Sequence, residues 1–210
     1  NREKIINTIT GEEIDATWTG LTWVDGYNGW TTDDTGRKTL SIPAMSKVEI
    51  NSKPLSIISA TGKTIEFVFK TSNIANYDEP IIQILSNDND SFKGLLIKPT
   101  QVILQSRDKK VLLNQSYNFK EEEVIDLAIS IIRNYKVTYG NLAIIFANGV
   151  KVCEFEFNTN DDWTVNSNIV LGSNFADLYL YKMRVYEKGF ESNDAITNYI
   201  NSLSTSEEKQ

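Results

Sequence analysis

The sequence predicts an all-β protein, a two-sheet antiparallel sandwich carrying one short C-terminal helix. Short runs of β-branched and aromatic residues recur along nearly all of its 210 residues, separated by Gly, Asn, Asp and Ser. That is the pattern of many strands joined by turns. In the clearer runs apolar residues occupy every second position, the period of a strand with one covered face. A helical period occurs once, between Glu191 and Leu203.

Taken in order, strands are expected at Thr39–Ile42, Lys47–Ile50, Thr64–Thr71, Pro80–Leu85, Gly94–Lys98, Gln101–Ser106, Val124–Ile132, Leu142–Ala147, Val150–Phe157, Asn168–Gly172 and Asp177–Tyr186. In Thr64–Thr71, Ile65, Phe67 and Phe69 alternate with Glu66, Val68 and Lys70, so one side should meet a core and the other stay mostly wet. In Val150–Phe157, Cys153, Phe155 and Phe157 alternate with Glu154 and Glu156. Asn148-Gly149 joins this run to Leu142–Ala147 and reads as a type I′ hairpin turn, which needs positive φ at both central residues. Asp177–Tyr186 is apolar on both faces and therefore reads as a central strand. In the helix, Ser192 or Asn193 is the expected cap, and Ile196, Tyr199, Ile200 and Leu203 form the face expected to pack on the sandwich. Residues 204–210 read as a frayed polar tail. No repeat or linker interrupts the chain, so 1–203 is expected to be a single domain.

Composition excludes several function classes. The formal net charge is -7 and no segment concentrates Lys and Arg, so nucleic acid and anionic membrane are poor partners. No apolar run is long enough to cross a bilayer, and the first residues lack the apolar centre of a signal peptide. The chain starts at Asn1 rather than Met, which reads as a piece of a longer protein. There is no histidine, which removes the His-dependent nucleophile systems, His-containing zinc sites and the usual neutral-pH general base. The one cysteine, Cys153, sits in an apolar stretch and reads as an inert thiol.

The order of features resembles the concanavalin A-like lectin/glucanase superfamily, in the laminin G-like form found in bacterial surface proteins and phage virion proteins. The residues that carry it are Asn28-Gly29-Trp30, Leu40-Ser41-Ile42, Gly62-Lys63-Thr64-Ile65-Glu66-Phe67, Phe146-Ala147-Asn148-Gly149 and Ile169-Val170-Leu171-Gly172-Ser173. They end in Leu180-Tyr181-Lys182-Met183-Arg184-Val185-Tyr186, which leads into the helix over Asp194–Tyr199. The resemblance implies a jelly roll of two curved sheets that binds on its concave face or rim loops.

Three candidate sites follow. Glucanase relatives place an E-x-D-x-x-E array on one strand, and this chain has none. Glu154 and Glu156 lie about 7 Å apart on one strand face, where neighbours flank a sugar poorly, and they read as a solvated face. Calcium is the cofactor the resemblance suggests, with Asp88 and Asp90 or Asp161 and Asp162 as ligands, and Asp33 with Asp34 as a further cluster. The same residues read more simply as turn formers, and Phe92 at the next alternate position after Asp90 cannot ligate. Trp18, Trp23, Tyr27 and Trp30 crowd the N-terminal region, where Trp30 or Tyr27 could stack on a sugar beside Asn28, Asp25 and Asp33. Core packing of these rings is the competing reading. The acidic run Glu121–Glu123 reads as a solvated loop.

The expected function is a non-catalytic binding or decoration module of a larger extracellular or virion assembly, with a glycan or a neighbouring virion or surface protein as partner. The alternatives are a structural virion part that forms a homo-oligomer, and a glycoside hydrolase of the same fold.

Overall fold

The computed structural model describes residues 4–23, 29–52, 62–86, 93–105, 111–136, 140–158 and 167–207. Its strands are β1 (Ile5–Ile6), β2 (Glu13–Ile14), β3 (Ala16–Thr19), β4 (Gly29–Thr32), β5 (Lys38–Ile42), β6 (Lys47–Ser52), β7 (Gly62–Ser72) and β8 (Ile82–Ser86). They continue as β9 (Lys93–Lys98), β10 (Gln101–Gln105), β11 (Val111–Ser116), β12 (Ile125–Lys136), β13 (Gly140–Ala147), β14 (Val150–Asn158), β15 (Ser167–Leu171) and β16 (Asp177–Tyr186), followed by helix α1 (Ser192–Glu207). One seven-stranded antiparallel sheet runs β11-β10-β9-β8-β15-β6-β3 and a second runs β14-β13-β12-β7-β16-β5-β4, with β1-β2 a separate pair. This is the all-β, two-sheet sandwich with a C-terminal helix. The five elements the sequence did not announce, β1 to β4 and β11, are short or lie at sheet edges.

The chain divides into two compact units, the first comprising Asn1–Ser56, Phe69–Glu123 and Trp163–Tyr181, the second Ile57–Val68, Val124–Asp162 and Lys182–Gln210. In the first unit, register explains the core. Ile169 pairs with Ile50 and Ile84, and Leu171 with Val48 and Ile82. Ile84 in turn pairs with Leu95 and Ile97 with Val102, so directly opposed residues build one continuous apolar face. All of these residues are buried. In the second sheet, Leu178 pairs with Ile42 and Leu180 with Leu40, all four buried.

In the second unit, the Asn148-Gly149 turn has φ values of 51° and 74°, as its hairpin requires. Leu142, Ile144 and Phe146 of β13 form a buried cluster with Ala128, Phe190 and Ala195 of the helix. Two expectations fail here. The side of β7 expected to be wet holds Glu66 fully buried, because that face lies beneath other groups of the unit. The helix does not bury the face read from its periodicity: Ile196, Ile200 and Leu203 are 46%, 56% and 50% exposed, whereas Ala195 is buried and Asn198, Tyr199 and Ser202 are half-buried. The packed side is thus Ala195, Asn198, Tyr199 and Ser202, so of the expected face only Tyr199 turns toward the unit. Its cap differs too, since Asp194 accepts a hydrogen bond from the Glu191 N–H at 3.1 Å and an ion pair from Lys188. It also continues to Glu207, beyond the point where fraying was expected.

Gly172, at the end of β15, has φ +95°, and a Cβ there would lie 2.5 Å from the Ser46 carbonyl oxygen and 2.7 Å from Ile42 Cγ2. Gly36 has φ +84° with nothing within 4 Å of the same position. Gly172→Ala should therefore cost about 3 kcal/mol and Gly36→Ala about 1 kcal/mol, from backbone strain plus a clash against backbone strain alone. Urea unfolding of the two variants beside the wild type measures the difference, and equal costs would refute the close approach.

Candidate functional site

The face of the second sheet opposite Leu40, Ile42, Leu178 and Leu180 carries hydroxyls in the first unit. Thr31 pairs with Thr39, and Ser41 with both Gly29 and Tyr179, so these side chains share one surface. They form the floor of a cleft of about 310 Å³ that also takes in Thr32, Asp33, Asp34, Pro43, Lys70 and Asp177. Its groups are unequally committed. Asp33 Oδ1 accepts from the Thr35 N–H at 2.9 Å, the Thr35 hydroxyl at 2.7 Å and the Arg37 N–H at 2.9 Å, closing the β4–β5 turn. Burial works against the Asp33 carboxylate, but the donors of Thr35, Arg37 and Tyr181 outweigh it and hold its pKa below the usual range. The Tyr181 hydroxyl is pushed upward by burial and by that Asp33 contact, and Arg37 lies 4.9 Å over its ring.

Asp177 is equally occupied, because it accepts from the Ala44 N–H at 2.8 Å and from Asn73 Nδ2 at 2.7 Å, which ties two turns to the start of β16. Lys70 pairs with Glu122 at 2.8 Å and sits 4.8 Å over the Tyr179 ring. The Glu122 hydrogen bond raises its pKa, so it is a fixed cation. Thr39 donates to the Leu180 carbonyl at 3.1 Å. Asp34 is exposed, and with Thr31 and Thr32 it supplies polar groups beside an aromatic ring and a cation, whereas Ser41 is buried in the floor. Asp33 and Asp177 are thus both committed to the turns they close, which fixes two walls of the cleft.

The sequence-predicted residues divide as follows. Asp33 lines the cleft. Trp30 is 46% exposed on edge strand β4, but it pairs with Leu40 and so lies on the face opposite Thr31. Trp18 and Trp23 are half-buried and meet edge to face, with ring centroids 4.9 Å apart. Tyr27, Asn28 and Asp25 lie outside the described residues, as do Asp88, Asp90, Asp161 and Asp162. Among the described residues no group of three or more acidic, His or Cys side chains is placed to hold a metal. Glu154 and Glu156 are exposed on edge strand β14. Cys153 is half-buried, and burial raises its thiol pKa. Glu121 to Glu123 are exposed, yet Glu121 accepts from the Tyr77 hydroxyl and Glu122 anchors Lys70. Of the cleft residues the sequence pointed only to Asp33 and Asp34; Lys70, Tyr179, Asp177 and the hydroxyl residues were missed, and for Tyr179 alternation on β16 against Leu178 and Leu180 was the available signal.

A second polar cluster is buried inside the second unit. Glu66 accepts from Asn198 Nδ2 at 2.7 Å, the Tyr186 hydroxyl at 3.0 Å and the Arg184 guanidinium at 3.2 Å. Beside it lies Asp126, 7% exposed, whose backbone N–H donates to Asn148 Oδ1 and whose Oδ2 has no hydrogen-bond donor. Burial, then the Glu66 charge, raise Asp126 from 3.8 to about 7 against the opposing pull of Arg184 and Lys182. Two adjacent carboxyls of which one keeps its proton are chemically plausible acid/base groups, but Glu66 is fully buried.

Folded Asp126 keeps its proton to about pH 7, whereas the unfolded chain releases it near 3.8. Between those values the folded state binds more protons, so this contribution to stability is full below the window and is lost as pH rises through it, at up to roughly 1.4 kcal/mol per pH unit. Asp126→Asn, which cannot ionise and still donates toward Glu66, should remove that slope and be more stable than the wild type at pH 8. Urea midpoints of both proteins at pH 4.5, 6 and 8 test it, and parallel pH profiles would refute it.

No family model and no curated protein matches the sequence. Solved structures do resemble it. The receptor-binding domain of botulinum neurotoxin type G superposes with a TM-score of 0.60 at 14% identity, covering 91% of this chain and 49% of that one. For the receptor-binding domain of the C/D mosaic serotype the values are 0.65, 14%, 92% and 48%. For that of botulinum neurotoxin D they are 0.61, 15%, 95% and 53%. The chain thus spans about half the length of these neighbours, and what it shares with them is the fold.

Proposed function

We propose that this chain is a non-catalytic, concanavalin A-like binding module of the laminin G-like kind, part of a larger extracellular or virion assembly, and that it recognises glycans at the cleft of the first unit. The observation that carries the reading is the cleft's composition. Hydroxyls of Thr31 and Thr32 and the exposed Asp34 carboxylate lie beside the Tyr179 ring and the Lys70 cation. A sugar presents the same alternation of polar edge and apolar face. Asp33 and Asp177 are held rigid by the turns they close, which preorganises the walls and lowers the entropy lost on binding. The solved neighbours named as receptor-binding domains support a module that meets a surface receptor or its glycan. The position of Glu154 and Glu156 on an exposed edge strand weighs against the hydrolase reading.

A glycan array probed with the wild type, Tyr179→Ala, Asp34→Ala and Trp30→Ala tests the site. Tyr179→Ala and Asp34→Ala should each weaken binding about tenfold, equivalent to about 1.4 kcal/mol, while Trp30→Ala leaves it unchanged. Loss of binding in Trp30→Ala alone would move the site to the edge strand, and no wild-type binding to any glycan would overturn the reading.

A further inference from the structure

The buried carboxyl pair of the second unit does something the cleft does not require. Asn198 lies in the middle of α1, and its amide donates to Glu66 Oε1 at 2.7 Å while its Oδ1 lies 3.0 Å from the Tyr186 hydroxyl, whose single proton it shares with Glu66. The helix therefore holds its sheet through a polar bond as much as through apolar contact. Its larger apolar residues, Ile196, Ile200 and Leu203, are about half exposed, which leaves Ala195 and Tyr199 as its apolar anchors. A helix whose large aliphatic residues are only half-buried is sensitive to the charge beneath it.

We propose that Glu66 and Asp126 form a proton-controlled latch for α1: while one proton is shared by the two carboxyls, Asn198 stays bonded to Glu66, and removal of that proton loosens the helix from the sheet. Asp126 Oδ2 is buried with no hydrogen-bond partner, so it is the oxygen that gains most from a proton, and Glu66 is the neighbouring carboxyl. The charged and titratable groups around the pair are Lys182, Arg184 and Tyr186 on β16; α1 contributes the neutral Asn198, and the β13–β14 hairpin the neutral Asn148. Arg184 is already engaged with Glu66 and Tyr186. A second buried negative charge would find no equivalent donor, and the strain is relieved when water enters beneath α1 or when Glu66 turns away, either of which breaks the Asn198 bond. Because burial places the Asp126 titration near neutrality, the latch operates within the physiological pH range.

Hydrogen exchange of the 192–203 amides in the full chain at pH 6 and pH 8.5, corrected for intrinsic exchange rates, tests the proposal. Wild-type protection should fall about tenfold between the two, whereas Asp126→Asn keeps its protection at both and Asn198→Ala is weakly protected at both. If Asp126→Asn fails to fold by circular dichroism, Asp126→Leu, which also removes the titrating group and leaves Glu66 bonded to Asn198, should give the same flat profile. Equal wild-type protection at the two pH values, or the same fall in the folded carboxyl variants, would overturn the latch. Neither result bears on glycan binding at the cleft.

Discussion

Register at β5 and β16 is the constraint on which the first unit's surface depends. Leu178 opposite Ile42 and Leu180 opposite Leu40 fix which side of these strands meets the core. Each such side chain is worth about 1.5 to 3 kcal/mol when buried, so a one-residue slip would expose four of them together. Once that side is chosen, Thr39, Ser41 and Tyr179 must face the other way, and Thr31 joins them through its pairing with Thr39. The cleft is thus the polar remainder of a decision made by the apolar residues. Its precision comes from the ladder, because opposed residues on neighbouring strands have their Cβ atoms only about 5 Å apart.

Within the second unit the non-core face is covered, and the same alternation produces a different outcome. A fully buried Glu66 would cost several kcal/mol if left alone. Arg184, Tyr186 and Asn198 offset that cost by donating to it, and each comes from an element that must be in place for the bond to form. The cluster is consequently a poor source of net stability and a strong selector of one arrangement, since removing any donor leaves a buried charge underpaired.

The strand framework was legible because apolar residues at a two-residue period leave few alternatives, and Asn148-Gly149 names its turn by chemistry alone. What failed shares one cause. A strand's sequence shows which face is apolar but not whether the polar face is covered, so Glu66 looked solvated when it is fully buried. The helix misled for the converse reason: Ile196, Ile200 and Leu203 make the stronger apolar period, yet Ala195 and Asn198 fit closer against the sheet. Asp33 was found from sequence as a loop acid. Lys70 and Tyr179 were hidden, because a cation over a ring is a contact between strands far apart in the chain.

Donor count, more than burial, separates the structural carboxylates from the one that titrates. Asp33 has a nearly buried side chain, yet three donors converge on a single oxygen and its pKa lies below the usual range. Asp194, at the start of the helix, accepts from Lys188 first and from the Glu191 N–H, and it too is lowered. Asp126 is similarly secluded, but one oxygen has no donor and its nearest acidic neighbour is another carboxyl, so it alone of the three moves upward. A carboxylate surrounded by N–H and O–H groups is already solvated by the protein and gains nothing from a proton. One that faces a second carboxyl can complete its hydrogen bonding only by taking one, and so its charge follows pH.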